Sequence, residues 1–501
     1  MTWLDLLPLA AFVPLYALLR SRFARLPLHM DTGFYVTNAA IAERRYRPFR
    51  GWNTFFSGNS RLVPEWVHST LYLRCGAERY AAAFRALYTV LLLSAAVGYA
   101  AVAWALLGTP HAFWPSALIS AALLAEPQYG AYFESAEAFE VAVQGLGLAS
   151  LCWGSELGQP ALGLAGLALL WLDALLIKSS AALPCALTTL AVALRWEELR
   201  WPALLCSLLA AAGLVALLRA AAPPAREKLE LMRRHERYVR RNYKNPLRLL
   251  AVKIGFSAKL LAQAPLLPLL AAAGALVLVP QALTAAEGAL CSYAAFALGS
   301  VAALLWQGNR VWYYMLPLLA LCGPLGAALV LELERRVGIG SAGFVLLVGL
   351  GASVVSSLRK LRGRDVREHC RRVFSVYDRR GGAYGTRFAE DNFELMQACK
   401  QFRERVRGDS VLVVGGHNQA YLQLEAAYAT PLVSVCELSQ AVAGELGRFL
   451  PGVPAPRYVL DTCGALPSTR FGLEWLSRYR QVDSHGRMRL FERAETATSE
   501  H

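Results

Sequence analysis

The chain has 501 residues, 56% of them hydrophobic, and a formal charge of +15. Apolar residues at this density, gathered in repeated long runs, exclude an ordinary soluble enzyme and define a multi-spanning α-helical membrane protein. No nucleic-acid-binding motif is present to account for the positive charge, so the expected anionic partners are membrane lipids and lipid-phosphate head groups.

In chain order, the first apolar run covers residues 3–19. It lacks a basic leader and an A-x-A cleavage site, and reads as a retained helix. Residues 20–79 follow, too long to be a simple connector. At their start the stretch LPLHMDTGFYVTNAA emerges at the membrane boundary with one acid, Asp31, followed by the turn formers Thr32 and Gly33 and the interfacial rings Phe34 and Tyr35. A carboxylate there can reach both a head group and water.

Six further apolar runs lie near residues 84–107, 112–125, 138–153, 160–177, 179–194 and 202–218. The loop at 126–137 between two of them carries Glu126, Glu134 and Glu137, with Glu140 one turn on. Glu134 and Glu137, and again Glu137 and Glu140, are spaced to share a helical face. Asp173 lies inside an apolar run, where an acid is expensive and normally paired. Lys178 is five residues on, an imperfect helical match, so its partner stays open; a snorkelling lysine is the ordinary reading.

Residues 219–259 break the pattern with twelve Lys/Arg against three Glu, and place Arg237 and Arg240 among Tyr238 and Tyr243. An interfacial amphipathic helix or a solvated basic loop fits equally. Runs near 264–281, 287–306, 311–331 and 341–358 complete a count of about 11 helices. Just before the third of these, Asn309 and Arg310 precede Trp312, Tyr313 and Tyr314, so a guanidinium fork lies beside aromatic rings.

After residue 358 the composition changes to that of a soluble α/β domain, residues 359–501. A basic helical connector leads to a strand at 410–414, then a helix near 419–428, a strand at 431–435, a helix near 439–449, a strand at 457–460 and a hairpin of 479–482 with 488–491. This is a small, mostly parallel sheet covered by helices. The segment Val414-Gly415-Gly416-His417-Asn418 lacks dinucleotide-binding spacing and reads as a tight turn. The ten cysteines show no metal-ligand spacing.

An odd helix count with the N-terminus inside puts the polar loops and the C-terminal domain together on the noncytoplasmic face. The basic loops then run against the positive-inside rule, which the needs of an anionic substrate can offset.

The first-loop acid in HMDTGFY, the second acidic loop AEPQYGAYFESAE, the arginine in QGNRVWYYMLPL and the C-terminal α/β domain together resemble bacterial GT-C glycosyltransferases. Relatives of that type include the protein O-mannosyltransferases and the lipid A aminoarabinose transferases. The chain departs from the commonest pattern with Asp-Thr in place of Asp-Glu. The resemblance implies a sugar carried on a polyprenyl phosphate, inverting transfer to an acceptor glycan, lipid or protein, and a bacterial inner membrane location.

Such a transfer needs a base for the attacking hydroxyl but no general acid, because phosphate leaves as an anion. Asp31 is the candidate base, with a helix N-cap as its structural alternative. Glu137 and then Glu134 are candidates for orienting substrate. Lys178, Arg310, Asn309, Tyr313, Arg237 and Arg240 are the candidate substrate-binding residues. No cofactor is required, and a divalent metal is possible without being indicated. A flippase for a lipid-linked sugar would use the same basic face without needing a base, and a noncatalytic scaffold would leave the acids near the membrane without purpose.

Overall fold

The computed structural model describes residues 62–125, 136–220, 251, 254–255, 272–278, 288–306, 316–337, 384–414, 417, 419–428, 456–462 and 476–494. Its membrane part contains α1 (Leu62–Leu107), α2 (Phe113–Ala125), α3 (Glu137–Glu156), α4 (Pro160–Leu176), α5 (Ala182–Arg195), α6 (Arg200–Ala220), α7 (Gly288–Trp306), α8 (Leu316–Ala320) and α9 (Cys322–Val337). These bounds follow the apolar runs closely. Three segments among the described residues are long and apolar enough to cross a membrane: Arg79–Leu107, Gly288–Leu305 and Leu316–Arg336. Pro160–Leu176 and Ser179–Arg195 are apolar but shorter. The run at 341–358, and with it the count of about 11, lies outside the described residues.

The 20–79 segment ends in helix. α1 begins at Leu62 and is interrupted at Gly76, whose φ of 71° and ψ of 170° reverse the chain. That left-handed conformation suits a residue without a Cβ, and it folds the first part of α1 back on the second. His68 is thereby fully buried, stacked on Phe84 at 3.8 Å between ring centroids and hydrogen-bonded through Nδ1 to the Tyr80 hydroxyl.

α3 is the central helix, packed against α1 on one side and α4 on the other. Its own glycines make this possible, since without a hydrophobic drive inside lipid, close backbone approach supplies the packing energy. A Cβ placed on Gly98 of α1 would meet the Gly145 carbonyl carbon at 2.7 Å, and one placed on Gly166 of α4 would meet the Gly147 oxygen at 2.5 Å. The turn between α3 and α4 is equally determined. Gly158, at φ 60°, donates to Ser155 O at 3.3 Å while Gln159 N donates to Gly154 O at 2.8 Å, and Pro160 opens the next helix where its missing N–H costs nothing.

A second core is built around a five-stranded sheet of order β2-β1-β3-β5-β4. Its strands are β1 (Ser410–Val414), β2 (Ala427–Tyr428), β3 (Tyr458–Asp461), β4 (Tyr479–His485) and β5 (Met488–Arg493), with α10 (Tyr384–Val406) and α11 (Gln419–Leu424) alongside. β1 is parallel to both β2 and β3, and the β4–β5 hairpin adds antiparallel to β3. The continuous apolar run Val411–Val414 is buried throughout, as a central parallel strand requires. One expected boundary is corrected: the helix from Gln419 stops at Leu424 instead of continuing to residue 428. Glu425 takes φ 50°, held by Arg403 and by Arg407 at 2.8 Å, and the chain turns into β2. The strand expected at 431–435 and the helix at 439–449 lie outside the described residues.

Candidate functional site

Among the described residues, a group of charged side chains is enclosed where α3 begins and α4 ends. Glu137, Glu140 and Gln144 recur at helical spacing along one face of α3 and all are buried. α3 has no side-chain cap at Ala136, so the two carboxylates in its first turn face the positive end of the helix dipole. On the other side, α4 ends at Leu176, and the Asp173 carbonyl accepts both Ile177 N and Lys178 N at 2.9 Å. This turn delivers Lys178 across to the start of α3.

There its ammonium lies 2.6 Å from Glu137 Oε1 and 3.3 Å from Glu140 Oε2. The first contact is a hydrogen bond; the second is an ion pair without hydrogen-bond alignment. Gln144 extends the chain of contacts, its Nε2 donating to Glu140 Oε1 at 3.2 Å and to Asp173 Oδ2 at 2.8 Å. Trp171, two residues before Asp173, donates its indole N–H to Thr189 Oγ1 at 3.0 Å and ties α4 to α5. Every charged member of the group is 5% exposed or less.

Two carboxyl groups thus contact one ammonium, and the third, that of Asp173, is joined to them through Gln144. Glu137 Oε2, Gln144 Oε1 and Asp173 Oδ1 make no hydrogen bond among the described residues. Glu140, Gln144, Lys178, Ser180 and Ser300 line a cavity of about 20 Å³ beside them, with room for one water. Buried acceptors of this kind cost free energy unless something donates to them. The geometry anchors one oxygen of Glu137 on Lys178 and leaves the other buried, with no hydrogen-bond donor among the described residues.

Glu137 and Lys178 are the two expected site residues brought together. Asp31, Glu134, Arg237, Arg240, Asn309, Arg310 and Tyr313 lie outside the described residues. Gln144, and Asp173 as its partner, were not among the expected site residues. A lone Gln in an apolar helix, four residues after Glu140 and seven after Glu137, is the signal that could have found them.

This bundle and its appended sheet have the fold of ArnT and of an oligosaccharyltransferase of known structure. No protein-family profile matches the chain, and no curated protein matches it in sequence, so the likeness lies in structure. The chain superposes on ArnT from Cupriavidus metallidurans bound to undecaprenyl phosphate with a TM-score of 0.60, over 97% of this chain and 98% of that one, at 13% identity. The apo form of the same ArnT gives a TM-score of 0.53 at 14% identity, covering 96% and 98%. The Archaeoglobus fulgidus oligosaccharyltransferase, in a complex with Zn and sulfate, gives 0.52 at 12% identity, covering 93% of this chain and 71% of that one.

Proposed function

We propose that the protein is an integral membrane glycosyltransferase that moves a sugar from a polyprenyl-phosphate donor to an acceptor hydroxyl, with inversion, at the noncytoplasmic face. The observation that carries this reading is the likeness in fold, over nearly the whole of both chains, to a transferase solved with undecaprenyl phosphate. The enclosed carboxylate group of α3 supports it, since a purely structural bundle gains little from burying three acids with one lysine.

In this reaction the acceptor oxygen attacks the anomeric carbon, the bond from that carbon to the phosphate oxygen breaks, and the lipid phosphate leaves with the electron pair. Asp31 takes the hydroxyl proton. Glu137, with one oxygen fixed by Lys178, and Glu134 orient the reacting hydroxyls. Arg310, beside Asn309 and Tyr313, binds the phosphate together with Arg237 and Arg240, and Lys178 adds its charge through the network it holds. A guanidinium can meet two phosphate oxygens at once, which suits a leaving group that gains charge.

The experiment is direct. Purified protein incubated with labelled polyprenyl-phosphate sugars should release lipid phosphate and label an acceptor. Binding or transbilayer movement of the donor with no release would instead support a flippase.

A further inference from the structure

Gln144 stands between two carboxyl groups and spends both of its amide hydrogens on them. Its Nε2 donates to Glu140 Oε1 at 3.2 Å on its own helix and to Asp173 Oδ2 at 2.8 Å on α4. An amide nitrogen carries two hydrogens, so its donor capacity is filled, and turning the amide over would set Oε1 against two carboxyl oxygens. All three side chains are buried, Gln144 at 1% exposed, Asp173 at 0% and Glu140 at 4%. Asp173 comes within reach because α3 and α4 touch about one turn away, where a Cβ on Gly147 would meet Leu170 Cδ2 at 2.9 Å and Gly166 O at 3.1 Å.

These contacts close a ring. Asp173 holds Gln144 through its side chain and Lys178 through its carbonyl, which accepts Lys178 N at 2.9 Å. Lys178 returns to α3 through Glu137 and Glu140, and Glu140 returns to Gln144. Within the ring the two glutamates are unequal partners of the ammonium. Glu137 Oε1 is hydrogen-bonded to it at 2.6 Å, whereas Glu140 Oε2 stays at 3.3 Å without hydrogen-bond alignment. A buried carboxylate left to itself would close on the nearest cation. Gln144, by holding the other oxygen of Glu140, restrains that carboxylate from turning onto the ammonium and drawing it off Glu137.

We infer that Gln144 and Asp173 are positioning residues for the transfer: they hold Glu140 back, so that Lys178 stays on Glu137 and fixes the orientation of that carboxylate. The inference rests on the transfer reading above, in which Glu137 orients a reacting hydroxyl. Neither residue needs to touch substrate. Gln144 acts through Glu140, and Asp173 acts through Gln144.

The test measures lipid-phosphate release by full-length proteins in one detergent, at varied concentrations of the labelled polyprenyl-phosphate sugars. Gln144→Leu should lower kcat about tenfold or more, as misplacement of a group that orients substrate does, with the donor KM within about twofold of wild type. Adding Glu140→Gln should recover most of that loss, because residue 140 then no longer competes with Glu137 for the ammonium. A residue that only supports packing would show no such recovery, since the second change restores no packing. Asp173→Asn, which keeps an acceptor oxygen for Gln144, should lose less than Asp173→Leu. Gln144→Asn, one methylene too short to span both carboxyl groups, makes the same test if Gln144→Leu fails to fold. Wild-type kcat in a folded Gln144→Leu or Gln144→Asn protein, or a loss that Glu140→Gln does not relieve, would overturn the inference and leave the transfer reading intact. A wild-type protein that releases no lipid phosphate would overturn the transfer reading, and this role with it.

Discussion

Replacing Lys178 with methionine removes one charge and almost no volume, and the carboxylates around that charge set the size of the effect. The ammonium contacts Glu137 at 2.6 Å and Glu140 at 3.3 Å, and these side chains are all 6% exposed or less. Breaking a buried pair from one side leaves the partner's charge uncompensated, which costs about 3–5 kcal/mol. At roughly 1 °C per kcal/mol for a chain of 501 residues, the melting temperature should fall by about 3–5 °C. Tryptophan fluorescence during thermal unfolding, in one detergent, measures it. Lys178→Arg should lose less, because it keeps the charge. Adding Glu137→Gln to Lys178→Met should recover part of the loss, with a coupling of about 0.5–3 kcal/mol. A Lys178→Met protein melting within about a degree of wild type would show that the ammonium does not sit between the carboxylates, and the account of the α3 cluster would fail.

Gly166→Ala should destabilise the bundle by about 1–3 kcal/mol, because the new Cβ would meet Gly147 O and Leu151 N, each at 2.5 Å; Gly213→Ala, whose Cβ would meet only Leu175 at 3.9 Å, should cost nothing by the same melting measurement. Burial, and then the charge of Arg487, hold His417 at a pKa of about 4 against an ordinary 6.5, so the unfolded chain binds the extra proton between those values. Its contribution is therefore complete above about pH 6.5 and lost as pH falls toward 4, worth at most about 3 kcal/mol and nearer 1.5 with the ring partly exposed. Denaturant midpoints of the wild type between pH 7 and 4 should fall more steeply than those of His417→Phe. Arg310→Ala should lower donor affinity and transfer more than Arg310→Lys, since lysine keeps the charge but not the fork; equal rates for all three proteins would remove Arg310 from the site.

The helices were legible because their signals are local. The run expected at 160–177 appears as Pro160–Leu176, bounded by Gly158 and Pro160 at one end and by the polar Lys178 at the other. The partner of Lys178 was not legible. It lies 41 residues away on α3, and the two meet only because Gly147, Gly154, Gly163 and Gly166 let α3 and α4 approach within backbone contact. Sequence spacing within one helix, where Asp173 and Lys178 are five apart, carries no information about that crossing. The end of α11 was missed for a different reason: apolar residues continue to Tyr428, and the reversal falls on Glu425 instead of a glycine, stabilised by arginines on α10 and in the turn after it. The strands expected at 410–414 and 457–460, observed at 410–414 and 458–461, were legible because buried parallel strands read as short apolar runs.

We propose that Asp31 is the base of the transfer, and the rate of Asp31→Asn tests that role. Asparagine caps a helix about as well as aspartate but cannot take the hydroxyl proton. Release of lipid phosphate from a polyprenyl-phosphate sugar should be measured for wild type and variant alongside their melting curves. The account predicts a variant that melts as wild type does and binds donor, but transfers roughly 10²-fold more slowly or worse. A folded Asp31→Asn protein releasing lipid phosphate at the wild-type rate would contradict it.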